Sequence, residues 1–218
     1  MKVTIEALTG AHYQLAFVNR SLIAERLKRL GFGRVIITIR NQFDVLESSY
    51  KQYVKSGGVL KFDEYVNFDA AKPKYLYPEY FDYFRIYRLY AEVFGADNVL
   101  LLQCECLAES LKDVFEFLRI DPTVVRSEES TNRSLSYTKT RILRVLNHFT
   151  YNSYRPSHLV SKRLSTAFLH ALLERIPWWD APRSFLGSSQ RKAIRDFYAE
   201  SNRMLRESAG IDLKSRYP

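Results

Sequence analysis

Two short runs of this chain are apolar almost without a break: Arg34-Val-Ile-Ile-Thr-Ile39, rich in β-branched residues, and Asn98-Val-Leu-Leu-Leu-Gln103. A strand with one wet face alternates apolar and polar residues. A strand that is apolar throughout is covered on both faces, as in a parallel sheet flanked by helices. Parallel neighbours cannot be joined by a tight turn, so the long stretch between the two runs must carry a crossover. Val3-Thr-Ile-Glu6 reads as a third, short strand at the start.

The remainder reads mostly as helix. Leu15 to Leu30 places Leu15, Val18, Leu22, Ile23, Leu27 and Leu30 at helical spacing and stops at Gly31. Asn41 to Val54 is ended by Gly57-Gly58, and Phe62 to Phe68 reads as a short helix. From Tyr80 to Phe94 the residues Tyr80, Phe84, Tyr87, Tyr90 and Phe94 form a stripe, which Gly95 closes. Such a stripe is a core face before it is a stacking platform. Further helices are expected over Leu107–Leu118, Thr138–Phe149, Val160–Glu174 and Ser189–Ala209, with a polar loop over Val124–Tyr137.

Strands alternating with helices give an α/β class with a small parallel sheet and a helical C-terminal third. One domain over residues 1–218 is expected, its α/β part over 1–120 and its mainly helical part over 121–218. Two or three strands are few for an open sheet, so either further strands lie unrecognised or a piece precedes residue 1.

Composition narrows the function. The chain is 46% hydrophobic and 26% charged, which excludes a disordered or low-complexity segment. No apolar run approaches the roughly 18–20 residues of a membrane span. The start MKVTIEALTG has no signal-peptide core. Cys104 and Cys106, the two cysteines, cannot build a disulfide framework or, alone, a structural zinc site. A soluble, cytoplasmic protein is expected. With 33 Lys and Arg against 24 Asp and Glu the formal charge is +9, which favours anionic partners. The 14% aromatic content fits a single-strand nucleic-acid binder, and it fits an aromatic-rich core equally well.

In open α/β sheets ligands bind beyond the carboxyl ends of the strands. Arg40 stands there after the first long strand, and the helix opening near Asn41 aims its free N–H groups at the same place. Guanidinium, helix dipole and N–H donors together favour a phosphate. Ser48, about two turns along, is placed to face the strand end. The plainer alternative is an Arg40–Asp44 ion pair, with Ser48 a small packing residue.

The segment Ile37-Thr-Ile-Arg-Asn-Gln-Phe-Asp-Val-Leu-Glu-Ser-Ser-Tyr50 resembles the 3′-phosphate-binding segment of the PAPS-dependent sulfotransferases. That family shows a strand, then Arg-Asn-Pro-x-Asp, then Ser-x-Tyr. Arg40, Asn41, Asp44, Ser48 and Tyr50 match it in order and spacing, with Gln42 at the usual proline. Later segments follow in family order. Phe94 to Leu107 resembles the strand before a Tyr-Glu-Asp-Leu turn, Phe115 to Ile120 resembles a Phe-Leu-Gly helix end, and Thr131-Asn-Arg-Ser-Leu135 resembles a polar loop. Phe197 to Leu205, with the tail, resembles the closing helix. Gln42 and Gly57-Gly58 place the likeness nearest the bacterial branch.

The resemblance implies a P-loop-NTPase-like fold and transfer of a sulfuryl group from PAPS to a hydroxyl or amine of a small-molecule or glycan acceptor, leaving PAP. It gives Arg40, Ser48 and Asn41 the 3′-phosphate, with Arg133 as a second cation. Glu6 and His12 are the candidate bases for the acceptor proton, each as readily structural. Cys104 and Cys106 flank Glu105 where the family has Tyr and Asp. The family's 5′-phosphosulfate loop has no counterpart, since Leu8-Thr-Gly-Ala11 lacks its Lys and second hydroxyl. The expectation is therefore an N-terminally incomplete fold with impaired transfer. A non-catalytic PAP- or anion-binding remnant and a basic nucleic-acid binder are the competing readings. No metal-ligand spacing, Ser-His-Asp arrangement or dinucleotide glycine fingerprint is present.

Overall fold

A computed structural model describes residues 20–69, 75–107, 109–121, 135–150, 166–175 and 184–213. In chain order these carry α1 (Arg20–Arg29), β1 (Val35–Ile39), α2 (Gln42–Lys55), α3 (Phe62–Tyr65), α4 (Tyr83–Phe94), β2 (Val99–Gln103), α5 (Leu111–Leu118), α6 (Tyr137–Leu146), α7 (Thr166–Arg175) and α8 (Ser188–Ala209). The expected strand at Val3–Glu6 lies outside the described residues, as does nearly all of the polar loop. The chain divides into two compact units, one of Met1–Gln42, Leu76–Glu128 and Ile194–Pro218, the other of Phe43–Tyr75 and Glu129–Ala193.

In the first unit β1 and β2 pair in parallel, with Val35 opposite Val99 and Ile39 opposite Gln103. This mixed α/β arrangement agrees with the class expected from sequence; among the described residues the sheet has two strands. Helix α4 packs on both strands and on α1. Ala24, Tyr90, Phe94 and Val99 form a buried cluster there, with Leu27, Phe32, Ile37 and Tyr87 against it. Tyr80, Tyr90 and Phe94 of the aromatic stripe are thus buried, with Tyr87 packed against the cluster and Phe84 half-buried.

The helix starts later than its periodicity indicates. Tyr80 belongs to a 3₁₀ turn, Pro78–Phe81, and the Asp82 side chain then caps α4 by accepting the Arg85 N–H at 3.0 Å. The α1 face is also narrower than its pattern: Ile23 and Ala24 are buried, whereas Leu22 and Leu30 are exposed. Helix α5 begins at Leu111 rather than Leu107, because Cys104–Cys106 form a 3₁₀ turn directly after β2.

The second unit is built on aromatic contacts. Tyr50 meets Phe62 edge-on at 5.2 Å and Phe185 at 5.0 Å, and Tyr53 stacks on Tyr65 at 4.7 Å. The end of α2 is closed by Gly57-Gly58 as expected, with Gly57 in the left-handed region at φ 106°. The Tyr53 hydroxyl accepts the Val59 and Leu60 N–H groups at 3.1 and 3.2 Å. The fully buried Asn147 donates to the Val54 and Gly58 carbonyls at 2.8 and 2.9 Å. The short helix α3 stops at Tyr65, where a Phe62–Phe68 helix was expected; the Asn67 side chain accepts the Asp69 N–H and turns the chain. Among the described residues no helix is long and apolar enough to cross a membrane.

Candidate functional site

Because Ile39 and Gln103 are opposite each other in a parallel pair, Arg40 and Cys104 leave the sheet side by side at its carboxyl edge. Two groups converge on Arg40. The buried Tyr83 hydroxyl donates to its carbonyl at 2.7 Å and accepts from its N–H at 3.4 Å. Glu105, from the turn after β2, sets Oε1 3.5 Å from the guanidinium Nε and accepts the Asn41 N–H at 3.4 Å. The Glu105 side chain is 8% exposed and that of Arg40 39%. A buried carboxylate therefore holds the guanidinium by its inner edge, and the outer Nη groups make no hydrogen bond among the described residues.

This pairing replaces the Arg40–Asp44 ion pair considered as the plain alternative. Its signal was present in the sequence: opposite charges one and two residues after strands that pair in parallel. The other Glu105 oxygen, Oε2, is buried with no hydrogen-bond partner among the described residues.

The neighbouring positions are tightly fixed. Asn41 and Gln42 are buried. The Gln42 amide donates to Asn202 on α8 at 2.8 Å and accepts from it at 3.3 Å, which ties the first residue of α2 in place. Asn41 turns its backbone N–H to Glu105, so that donor is already occupied. Burial, reinforced by Cys104 and Glu105, pushes the Tyr83 phenol well above its ordinary pKa, so it stays protonated and keeps donating. Burial and the adjacent Glu105 likewise push the Cys104 thiol up, although the residue reaches the surface; a thiol so placed is a poor nucleophile.

Ser48 is half-buried on α2 and belongs to the second unit. Glu6, His12 and Arg133 lie outside the described residues. Of the other histidines, His148 is exposed and His170 buried, and no metal-ligand cluster occurs among the described residues. Comparison with known proteins finds no matching family model, no matching curated protein and no matching solved structure.

Chemically, the edge offers one guanidinium among the described residues, held by its inner Nε and partly exposed, beyond the ends of two parallel strands. Helix α2 begins two residues later. An anion arriving there meets a cation whose orientation is already set, though the Glu105 charge offsets part of its field.

Proposed function

We propose that this chain is a sulfotransferase-like protein that holds the 3′-phosphate of PAPS, or of its product PAP, on Arg40. The observation that carries the reading is the placement of Arg40: immediately beyond a parallel strand, just before a helix, and braced by Tyr83 and Glu105 with its outer edge accessible. The ordered likeness of Arg40, Asn41, Asp44, Ser48 and Tyr50 to the family segment supplies the identity of the anion, and Ser48 joins the site by that likeness alone.

The reaction so proposed moves a sulfuryl group from PAPS to an acceptor hydroxyl or amine, whose proton passes to a base; Glu6 and His12 are the candidates by resemblance. Positioning and charge stabilisation of the leaving phosphate would supply most of the catalysis, as in phosphoryl transfer. The burial of Tyr83, Tyr90 and Phe94 weighs against the nucleic-acid reading, since faces packed in a core cannot stack on bases.

The test is a comparison of nucleotides. PAP should raise the melting temperature more than AMP does, because binding to the native state stabilises it by mass action. Arg40→Ala should abolish the difference. Equal shifts from PAP and AMP would remove the assignment. A PAPS assay with hydroxyl and amine acceptors then separates a transferase from a nucleotide-binding protein without turnover.

A further inference from the structure

Glu105, which braces Arg40, stands between the two cysteines of the chain, Cys104 and Cys106. Both thiols are free, Cys104 exposed and Cys106 half-buried, and the three residues make up one 3₁₀ turn. At three residues per turn, side chains two positions apart point roughly 120° away from each other. A disulfide needs its two Cβ atoms within about 4.5 Å. The turn therefore keeps the thiols apart, and joining them must open it. The ring so closed holds a single intervening residue, Glu105, which cannot then keep its place. Its hold on Arg40 is light. Oε1 lies 3.5 Å from the guanidinium Nε and accepts the Asn41 N–H at 3.4 Å, both long for hydrogen bonds.

We propose that Cys104 and Cys106 form a redox switch for the anion site: an intrachain disulfide draws Glu105 away from Arg40 and tightens anion binding. The oxidant is a low-molecular-weight disulfide. One cysteine thiolate attacks it and releases the first small thiol. The second cysteine sulfur then attacks the mixed disulfide and releases the other. The two cysteines lose two protons and two electrons in total, and the small disulfide leaves as two thiols. Burial and Glu105 raise the Cys104 thiol, so the exchange is slow and is followed to equilibrium over hours. Withdrawing Glu105 removes the charge that offsets the guanidinium and frees the Arg40 Nε and the Asn41 N–H for an incoming anion. The effect on nucleotide affinity rests on the assignment of PAP to Arg40; the disulfide and the release of Arg40 do not.

The test equilibrates the full chain with reduced and oxidised glutathione and reads its intact mass. Oxidation should remove two hydrogens without adding glutathione, which in a chain with two cysteines identifies the Cys104–Cys106 bond. Phenylglyoxal labelling, mapped by peptide, should then modify Arg40 faster in the oxidised chain than in the reduced one. PAP should bind the oxidised chain about twofold to fivefold more tightly, the range for one partly screened charge. In Glu105→Gln that difference should vanish, and in Cys104→Ser, Cys106→Ser the redox buffer should change neither labelling nor affinity. Faster labelling of Arg40 with no PAP binding in either state would remove the nucleotide assignment and leave the switch standing. A stable glutathione adduct, a disulfide between two chains, or an intrachain disulfide that leaves Arg40 labelling unchanged would each overturn the switch.

Discussion

One hydroxyl group, Tyr83 Oη, touches both backbone polar groups of Arg40, donating to the carbonyl at 2.7 Å and accepting from the N–H at 3.4 Å. Those groups lie just past the end of β1, where ladder hydrogen bonding stops, and a buried carbonyl without a donor is destabilising. Tyr83→Phe keeps the ring in the core and deletes only the oxygen. The expected loss is about 1–3 kcal/mol of stability, read as a lower urea midpoint with an unchanged slope. The same variant should weaken PAP binding more than a core-truncating variant such as Val99→Ala does, because it frees the backbone that aims Arg40.

The buried phenols also set the alkaline limit of the fold. Burial pushes Tyr50 up to about 12 and raises Tyr83 and Tyr198 further. The unfolded chain releases its phenolic protons near pH 10, while the folded chain retains them. The unfolded state then binds fewer protons, so stability falls as pH rises. The contribution of these groups is complete below about pH 10 and is lost progressively from there through pH 12 and above. Urea midpoints measured from pH 8 to 12 should fall over the upper half of that range. The fall should be shallower in a Tyr83→Phe, Tyr198→Phe variant.

Much of this was legible in the chain because it is local. Val35–Ile39 and Val99–Gln103 lie within one residue of the apolar runs that announce them. Gly57-Gly58 and Gly95 mark helix ends that the structure keeps. Local cues also explain the shift at α4: apolar spacing continues through Tyr80, yet Pro78 and the capping Asp82 override it. What single-stranded reading missed depends on pairing. The Arg40–Glu105 contact exists only because β1 and β2 lie side by side in one register.

Within the second unit, Gly58 and Asn147 form a single closure of α2. A Cβ on Gly58 would run into the Tyr53 ring, whose hydroxyl serves the Val59 and Leu60 amides. Gly58→Ala must therefore displace Tyr53 and disturb both bonds. Asn147→Leu removes both donations and leaves the Val54 and Gly58 carbonyls buried without them. Each substitution should destabilise by about 2–4 kcal/mol. Because they disturb one arrangement, the double variant should lose less than the sum of the singles, as a denaturation cycle would reveal.

The Arg40–Glu105 pair predicts opposite consequences for its two members. Arg40→Ala leaves a carboxylate, 8% exposed, with only the Asn41 N–H on one oxygen. Glu105→Gln leaves a guanidinium that is 39% exposed and can turn to water. The arginine substitution should therefore cost about 1–3 kcal/mol, and the glutamate substitution less. Adding Glu105→Gln to Arg40→Ala should return part of the loss by neutralising the stranded charge. Binding should move the other way. Glu105→Gln keeps an acceptor for the Asn41 N–H yet removes the negative charge facing the guanidinium. PAP affinity should then rise about twofold to fivefold, the range expected for one partly screened charge. Titration of PAP against wild type, Glu105→Gln and Arg40→Ala measures this directly. If Glu105→Gln weakened PAP as much as Arg40→Ala does, Glu105 would belong to the binding surface itself instead of bracing the cation from behind.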